Sequence, residues 1–184
     1  MAASSSAEQA RPQGRVAPHN LAAEESLLGA MLLSREAVAA ATDVARAEHF
    51  YKPAHGHIFE AIATLYSAGE PADPITVAEE LNRAGLLEAI GGPAVLVALQ
   101  ASAPAISNSR RYAEIVEELA LLRSMINTAG EIAELGYSLP DDVEKAVDQA
   151  ESMIFNLAQH RVATTTASVH ELLGETLDKL EQLY

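Results

Sequence analysis

Three histidines, His49, His55 and His57, fall within nine residues and invite a metal-site reading. On a helix, however, His55 and His57 point in different directions, and no cysteine or well-placed carboxylate pair completes a shell. A hydrogen-bonded structural role is the expectation for His55, which lies beside the apolar run Ile58-Phe59. Nucleotide chemistry would need a Gly-x-x-x-x-Gly-Lys-Ser/Thr loop, whose backbone N–H groups cradle phosphates. None occurs, and none of Lys52, Lys145 or Lys179 follows a glycine. Gly91-Gly92 suits a turn ahead of Pro93, and no glycine-flanked serine nucleophile is present. These residues give no active site and no metal site.

Bulk properties point the same way. The chain has 184 residues, a formal net charge of −14 and only three lysines. A surface so acidic argues against gripping a phosphate backbone, so no direct nucleic-acid binding is expected. Hydrophobic residues make up 49% and aromatics 4%, which favours helices packed through Ala and Leu over a sheet. The absence of cysteine is compatible with a reducing cytoplasm. No apolar run reaches the length of a membrane span; residues 86–106 are interrupted by Gly91, Gly92, Pro93 and Pro104.

The elements that position these residues are helices. Residues 1–17, rich in Ala, Ser, Gln, Gly and Pro, read as a disordered tail. Asn20 should cap a first helix, with Glu24 and Glu25 near its positive end and Leu21, Leu28, Met31 and Leu32 buried. Ser34 should cap a second, carrying Val38, Ala41 and Val44 inward. Pro53 opens a third, whose Ile58, Phe59, Ile62, Leu65 and Tyr66 share one face. Gly69 and Pro71 stop it. Asp73-Pro74 starts a fourth helix, closed by a left-handed Gly85, and Pro93 to Ala101 forms a fifth.

From Asn108 the pattern becomes heptad-like. Tyr112, Ile115, Leu119, Leu122, Ile126, Ala129, Ala133 and Gly136 lie along one helix of about 28 residues, about 42 Å long. After a break at Ser138-Leu139-Pro140, Val143, Val147, Ala150, Ile154 and Leu157 line a second. So short a connection folds the two back antiparallel. Met125, Ile132, Leu135, Ala146 and Met153 flank this stripe. They could widen the seam or meet the bundle; the reading adopted is a surface for a second subunit, with the chain a dimer. Residues 162–167 read as a linker. Ser168 and Glu171 form a capping box for a last helix with Val169, Leu172, Leu173, Thr176, Leu177, Leu180 and Tyr184 on one face. The fold class is therefore all-α: a globular helical bundle (18–107), a long antiparallel hairpin (108–161), and a tethered linker helix (162–184).

The ordered residues His49-Phe50-Tyr51, His55, Ile58-Phe59, Gly69-Glu70-Pro71-Ala72-Asp73 and Thr76-Val77 resemble the amino-terminal domain of the bacterial replicative helicase family DnaB. Pro18-His19-Asn20, Glu24-Glu25-Ser26, Leu28-Gly29, Gly85-x-Leu87, Gly91-Gly92, Pro104-x-x-x-Asn108 and Tyr112-Ala113-Glu114-Ile115-Val116 extend the likeness over roughly residues 18 to 161. His49 stands where the family usually has an acid. The resemblance implies a collar domain that pairs through its hairpins, forms a hexamer in the full-length protein, and recruits the carboxy-terminal domain of primase at the replication fork in the cytoplasm. It implies an ATP- and magnesium-dependent motor domain after Tyr184, with no cofactor bound by this segment. It also implies that Leu172, Leu173, Thr176, Leu177 and Leu180 dock on the ATPase domain of a neighbouring subunit. Val95 and Ile132 are the candidates for a primase-facing surface. Val95 occupies the position where the family often has tyrosine, so any contact through that hydroxyl is absent. Competing expectations are a free-standing helical adaptor and a primase carboxy-terminal domain.

Overall fold

The computed structural model describes residues 16–103 and 105–163, with side chains through Gln159. The linker helix and all but the end of the expected tail lie outside the described residues. Seven α-helices follow in order: α1 Leu21–Met31, α2 Arg35–Thr42, α3 Pro53–Ser67, α4 Pro74–Arg83, α5 Pro93–Ser102, α6 Ser109–Tyr137 and α7 Val143–Ala163. Short 3-10 turns at Ala47–His49 and Ile106–Asn108 precede α3 and α6. Among the described residues there is no strand.

The starts are where the sequence placed them. The Asn20 side chain accepts from the Ala23 N–H, and the Ser34 side chain from that of Ala37. Asp73 accepts from Ile75 and Thr76, while the Thr76 hydroxyl accepts the Asp73 N–H in return, a reciprocal capping box. Gly85 ends α4 at φ 72°, a left-handed geometry open to glycine at no steric cost.

One core fills the head. Leu27, Leu28 and Met31 of α1, Val38 and Ala41 of α2, Ile58, Phe59, Ile62 and Leu65 of α3, Val77 and Leu81 of α4, and Leu96 and Leu99 of α5 meet there. Phe50 and Phe59 touch with ring centroids 5.2 Å apart. Gly29 lets α5 lie directly on α1: a Cβ at that position would collide with the Leu99 carbonyl. Leu21, expected inside, is instead exposed, and Leu27 takes the place. The core also takes Ala113 and Val116 from α6. The long helix therefore belongs to the head as much as to the hairpin, whatever residue is chosen as the boundary between them.

The hairpin is turned relative to expectation. Ile132 and Leu135 of α6 and Ala146, Ala150, Met153 and Leu157 of α7 are half-buried. Ile132, Leu135, Ala146 and Ala150, together with Val143 and Val147, line one apolar concavity between the helices near the tip. The half-buried residues make the seam, so Ile132, Leu135, Ala146 and Met153 are not the outward-facing flank; of that group only Met125 is exposed. Of the stripe expected to be internal, Ile115, Leu119, Ala150 and Leu157 are half-buried, whereas Leu122, Ile126 and Ile154 are exposed and Val143 and Val147, exposed too, form the rim of the concavity. Both stripes have helical spacing and lie about 130° apart on α6 and about 70° apart on α7. The small Ala146 and Ala150 let α6 approach on their side.

Candidate functional site: a buried polar knot and an open hairpin face

Of the polar residues singled out by sequence, Glu24, His49 and His55 lie where α1, α3 and α6 meet. Glu24, 2% exposed, and His55, 1% exposed, face each other across the α1–α3 contact. Nδ1 of His55 lies 2.7 Å from Glu24 Oε2. A carboxylate only accepts, so the imidazole donates from Nδ1. The other carboxylate oxygen accepts the Tyr51 N–H at 2.7 Å. His55 is thus a satisfied structural histidine, as expected. Sequence reasoning misses its partner, because an acid in the first turn of a helix is already accounted for by the helix's positive end. The available signal was spacing: Glu24 precedes Leu28 and Met31 by four and seven residues, on the face α1 buries.

Arg123 was missed as well. Its guanidinium donates to the carbonyls of Pro18, at 2.7 Å, and of His49. It also sits 5.8 Å from the Tyr51 ring centroid. His19 stacks on the same ring, 4.1 Å between centroids and 13° from parallel. Here too periodicity carried a signal, since Ala113, Val116 and Arg123 follow one face of α6.

His49 closes the 3-10 turn: its Nδ1 accepts the Arg46 N–H at 3.2 Å. Burial pushes its pKa below the usual 6.5; Glu48 and Glu117 oppose the shift, and Arg46 and Arg123 add to it. A depressed folded pKa means that the unfolded chain binds the proton more readily. His49's contribution to stability is therefore fully present above pH 6.5 and is lost as pH falls from there through the folded pKa. Protonation also converts the Nδ1 acceptor into a donor facing an N–H. We expect the melting temperature to fall less steeply between pH 7.5 and 5.5 in His49→Gln, whose amide oxygen accepts without titrating. Equal slopes in parent and variant would contradict this.

His57 does not join the knot through any hydrogen bond, and no group of three His, Asp or Glu able to hold a metal ion exists among the described residues. Gly91 and Gly92 have φ values of 97° and 81° and form the turn before α5. Val95 is half-buried against the head's core, whereas Ile132 lies in the hairpin seam, so the two primase-facing candidates occupy separate places. Leu172, Leu173, Thr176, Leu177 and Leu180 lie outside the described residues.

The second notable surface is the open face of the hairpin. Leu122, Met125 and Ile126 of α6 and Val143, Val147 and Ile154 of α7 are each about half exposed or more. The two helices run antiparallel, so stripes offset in the same rotational sense from their seam emerge on one side of the hairpin. Ala129, Ala133 and Gly136 are also exposed and keep that side low between the larger residues.

A family model described as the DnaB-like helicase N terminal domain matches residues 16–118. The chain belongs to that family. The replicative DNA helicase DnaB of Mycobacterium leprae (strain TN) is 41% identical over 172 residues, covering 92% of this chain and 28% of that protein. The replicative DNA helicase DnaC of Bacillus subtilis (strain 168) is 38% identical over 170 residues, covering 92% of this chain and 37% of the other. The chain thus spans about a third of these relatives' length. The crystal structure of the N-terminal domain of DnaB helicase from Mycobacterium tuberculosis superposes with a TM-score of 0.74 at 43% identity, covering 77% of this chain and 99% of that one. A structure of a DnaB-like replicative helicase, described with its interactions with primase, shares the fold at a TM-score of 0.60 and 22% identity, over 85% of this chain and 34% of that one. This DnaB-type domain has no phosphate-cradling loop, and the full-length relatives are replicative helicases.

Proposed function

We propose that the chain is the collar-forming part of a replicative DNA helicase, pairing subunits through the open hairpin face and recruiting primase. The observation that carries the pairing is the face itself: Leu122, Met125, Ile126, Val143, Val147 and Ile154 on one side of two helices. A monomer leaves so broad an apolar side in water at a cost, and a two-fold pairing that lays it against its own copy removes that cost. Primase recruitment rests on family membership and on the likeness to a helicase described with primase. In this reading ATP and magnesium belong to a motor portion, the linker helix docks on a neighbouring subunit, and the assembly works in the cytoplasm.

Light scattering on residues 1–184 tests the pairing. The parent should be a dimer or larger. Ile126→Glu, at a site 55% exposed, should keep its helical content and dissociate, because a carboxylate in the paired face would have to be desolvated at a cost of several kcal/mol. Ile132→Glu, in the seam, should instead lower the melting temperature. A parent that stays monomeric at high concentration sinks the pairing reading. Titration of a primase carboxy-terminal domain from the same replication system tests recruitment, and absence of binding to the assembled chain overturns it.

A further inference from the structure

Arg123 stands where α6 leaves the head. Before it, Ala113 and Val116 are buried in the core; after it, Ser124 to Asn127 are all exposed. At that point a guanidinium spends its hydrogen bonds on two backbone carbonyls, Pro18 and His49, and among the described residues pairs with no carboxylate. A planar fork that bridges two carbonyls fixes direction as well as distance, which a flexible ammonium does not. One carbonyl belongs to the turn before α3, the other to the extended segment before α1. That segment is itself tied down on both sides. His19 stacks on Tyr51 and donates to the Ala17 carbonyl at 2.8 Å, and Asn20 caps α1. Tyr51 in turn is held through its N–H by Glu24.

We infer that Arg123 is a positioning residue for the hairpin, and that Pro18–Asn20 is a strap that helps fix the hairpin's direction through it. Drawing Pro18 away removes one of the two carbonyls that hold the guanidinium and lifts His19 from the ring beneath it. The hairpin base then keeps its apolar contacts but loses its angular stop. The device does not depend on what the hairpin binds.

The chain has no cysteine, so two can be introduced cleanly for spin labelling. Glu79→Cys on α4 and Tyr137→Cys at the end of α6 are both at exposed positions. Labelled chain diluted into excess unlabelled chain reports the intramolecular distance. A single narrow distance distribution is expected in this background. Arg123→Gln should broaden it, and so should a chain beginning Met-Asn20, with far-UV circular dichroism unchanged. Combining the two should broaden it no further than Arg123→Gln alone, because both act on one clamp. Arg110→Gln, which removes only an exposed pair with Glu114, should leave it narrow. A distribution that stays narrow in both variants overturns the inference. Should Arg123→Gln fail to fold, the shortened chain decides alone, since it leaves every core side chain in place; an unchanged distance there overturns the inference equally.

Discussion

Glu24→Ala should destabilise the chain by about 2–6 kcal/mol, two buried donors left unsatisfied at about 1–3 kcal/mol each. The carboxylate is 2% exposed and accepts from both His55 Nδ1 and the Tyr51 N–H. Its removal takes the acceptor from the buried His55 Nδ1–H and from the Tyr51 N–H, and also from the Lys52 N–H, which lies at a longer 3.5 Å. Replacing both members, as in Glu24→Leu with His55→Leu, should recover only part of the loss. The apolar pair no longer needs a polar partner, but the Tyr51 N–H remains unsatisfied at about 1–3 kcal/mol. Denaturant unfolding of the three chains measures this. A Glu24→Ala midpoint equal to the parent's would show that the pair is not held in solution.

Phe59→Ala should cost a similar amount, about 3–5 kcal/mol, by a different route. The ring is 3% exposed, lies against Phe50, and sits on a helix that packs against α1, α2 and α4. Truncation leaves a void whose walls are helices fixed by caps at Asn20, Ser34 and Asp73, so collapse around it is limited. With ordinary domain stability of about 5–15 kcal/mol, the variant should be marginal or unfolded at 37 °C. A melting temperature within a degree or two of the parent's would mean that the ring is not buried.

The head was legible because its signals are local. Caps and prolines at Asn20, Ser34, Pro53, Asp73-Pro74 and Pro93 each fix a helix start within a few residues, and the α3 face at Ile58, Phe59, Ile62 and Leu65 repeats at helical spacing. The hairpin was legible in outline for the same reason. Which of its two apolar stripes turns inward was not, because Ile126 and Ile132 are equally apolar and each lies in a sound helical register. Only the partner helix chooses between them, by the volume it offers at Ala146 and Ala150. The polar knot was missed for a related reason. Glu24 and Arg123 carry charges, and their burial depends on partners 31 and 105 residues away, His55 and Pro18. Family resemblance supplied positions such as Glu24 and His55 without saying that they touch.

Because α6 runs unbroken from Ser109 to Tyr137, head and hairpin share one helix, and any change of angle between them is a tilt of that helix on the head. A chain ended at residue 107 would lose Ala113 and Val116, and with them one wall of the core under α1 and α2. The family match itself ends at residue 118, inside this helix. The smallest piece that can be dissected out with its interior closed therefore has to carry α6 past Arg123, stub and all. A graft of this hairpin onto another protein would have to import the first four turns of α6 with it, together with the surface they were built to cover.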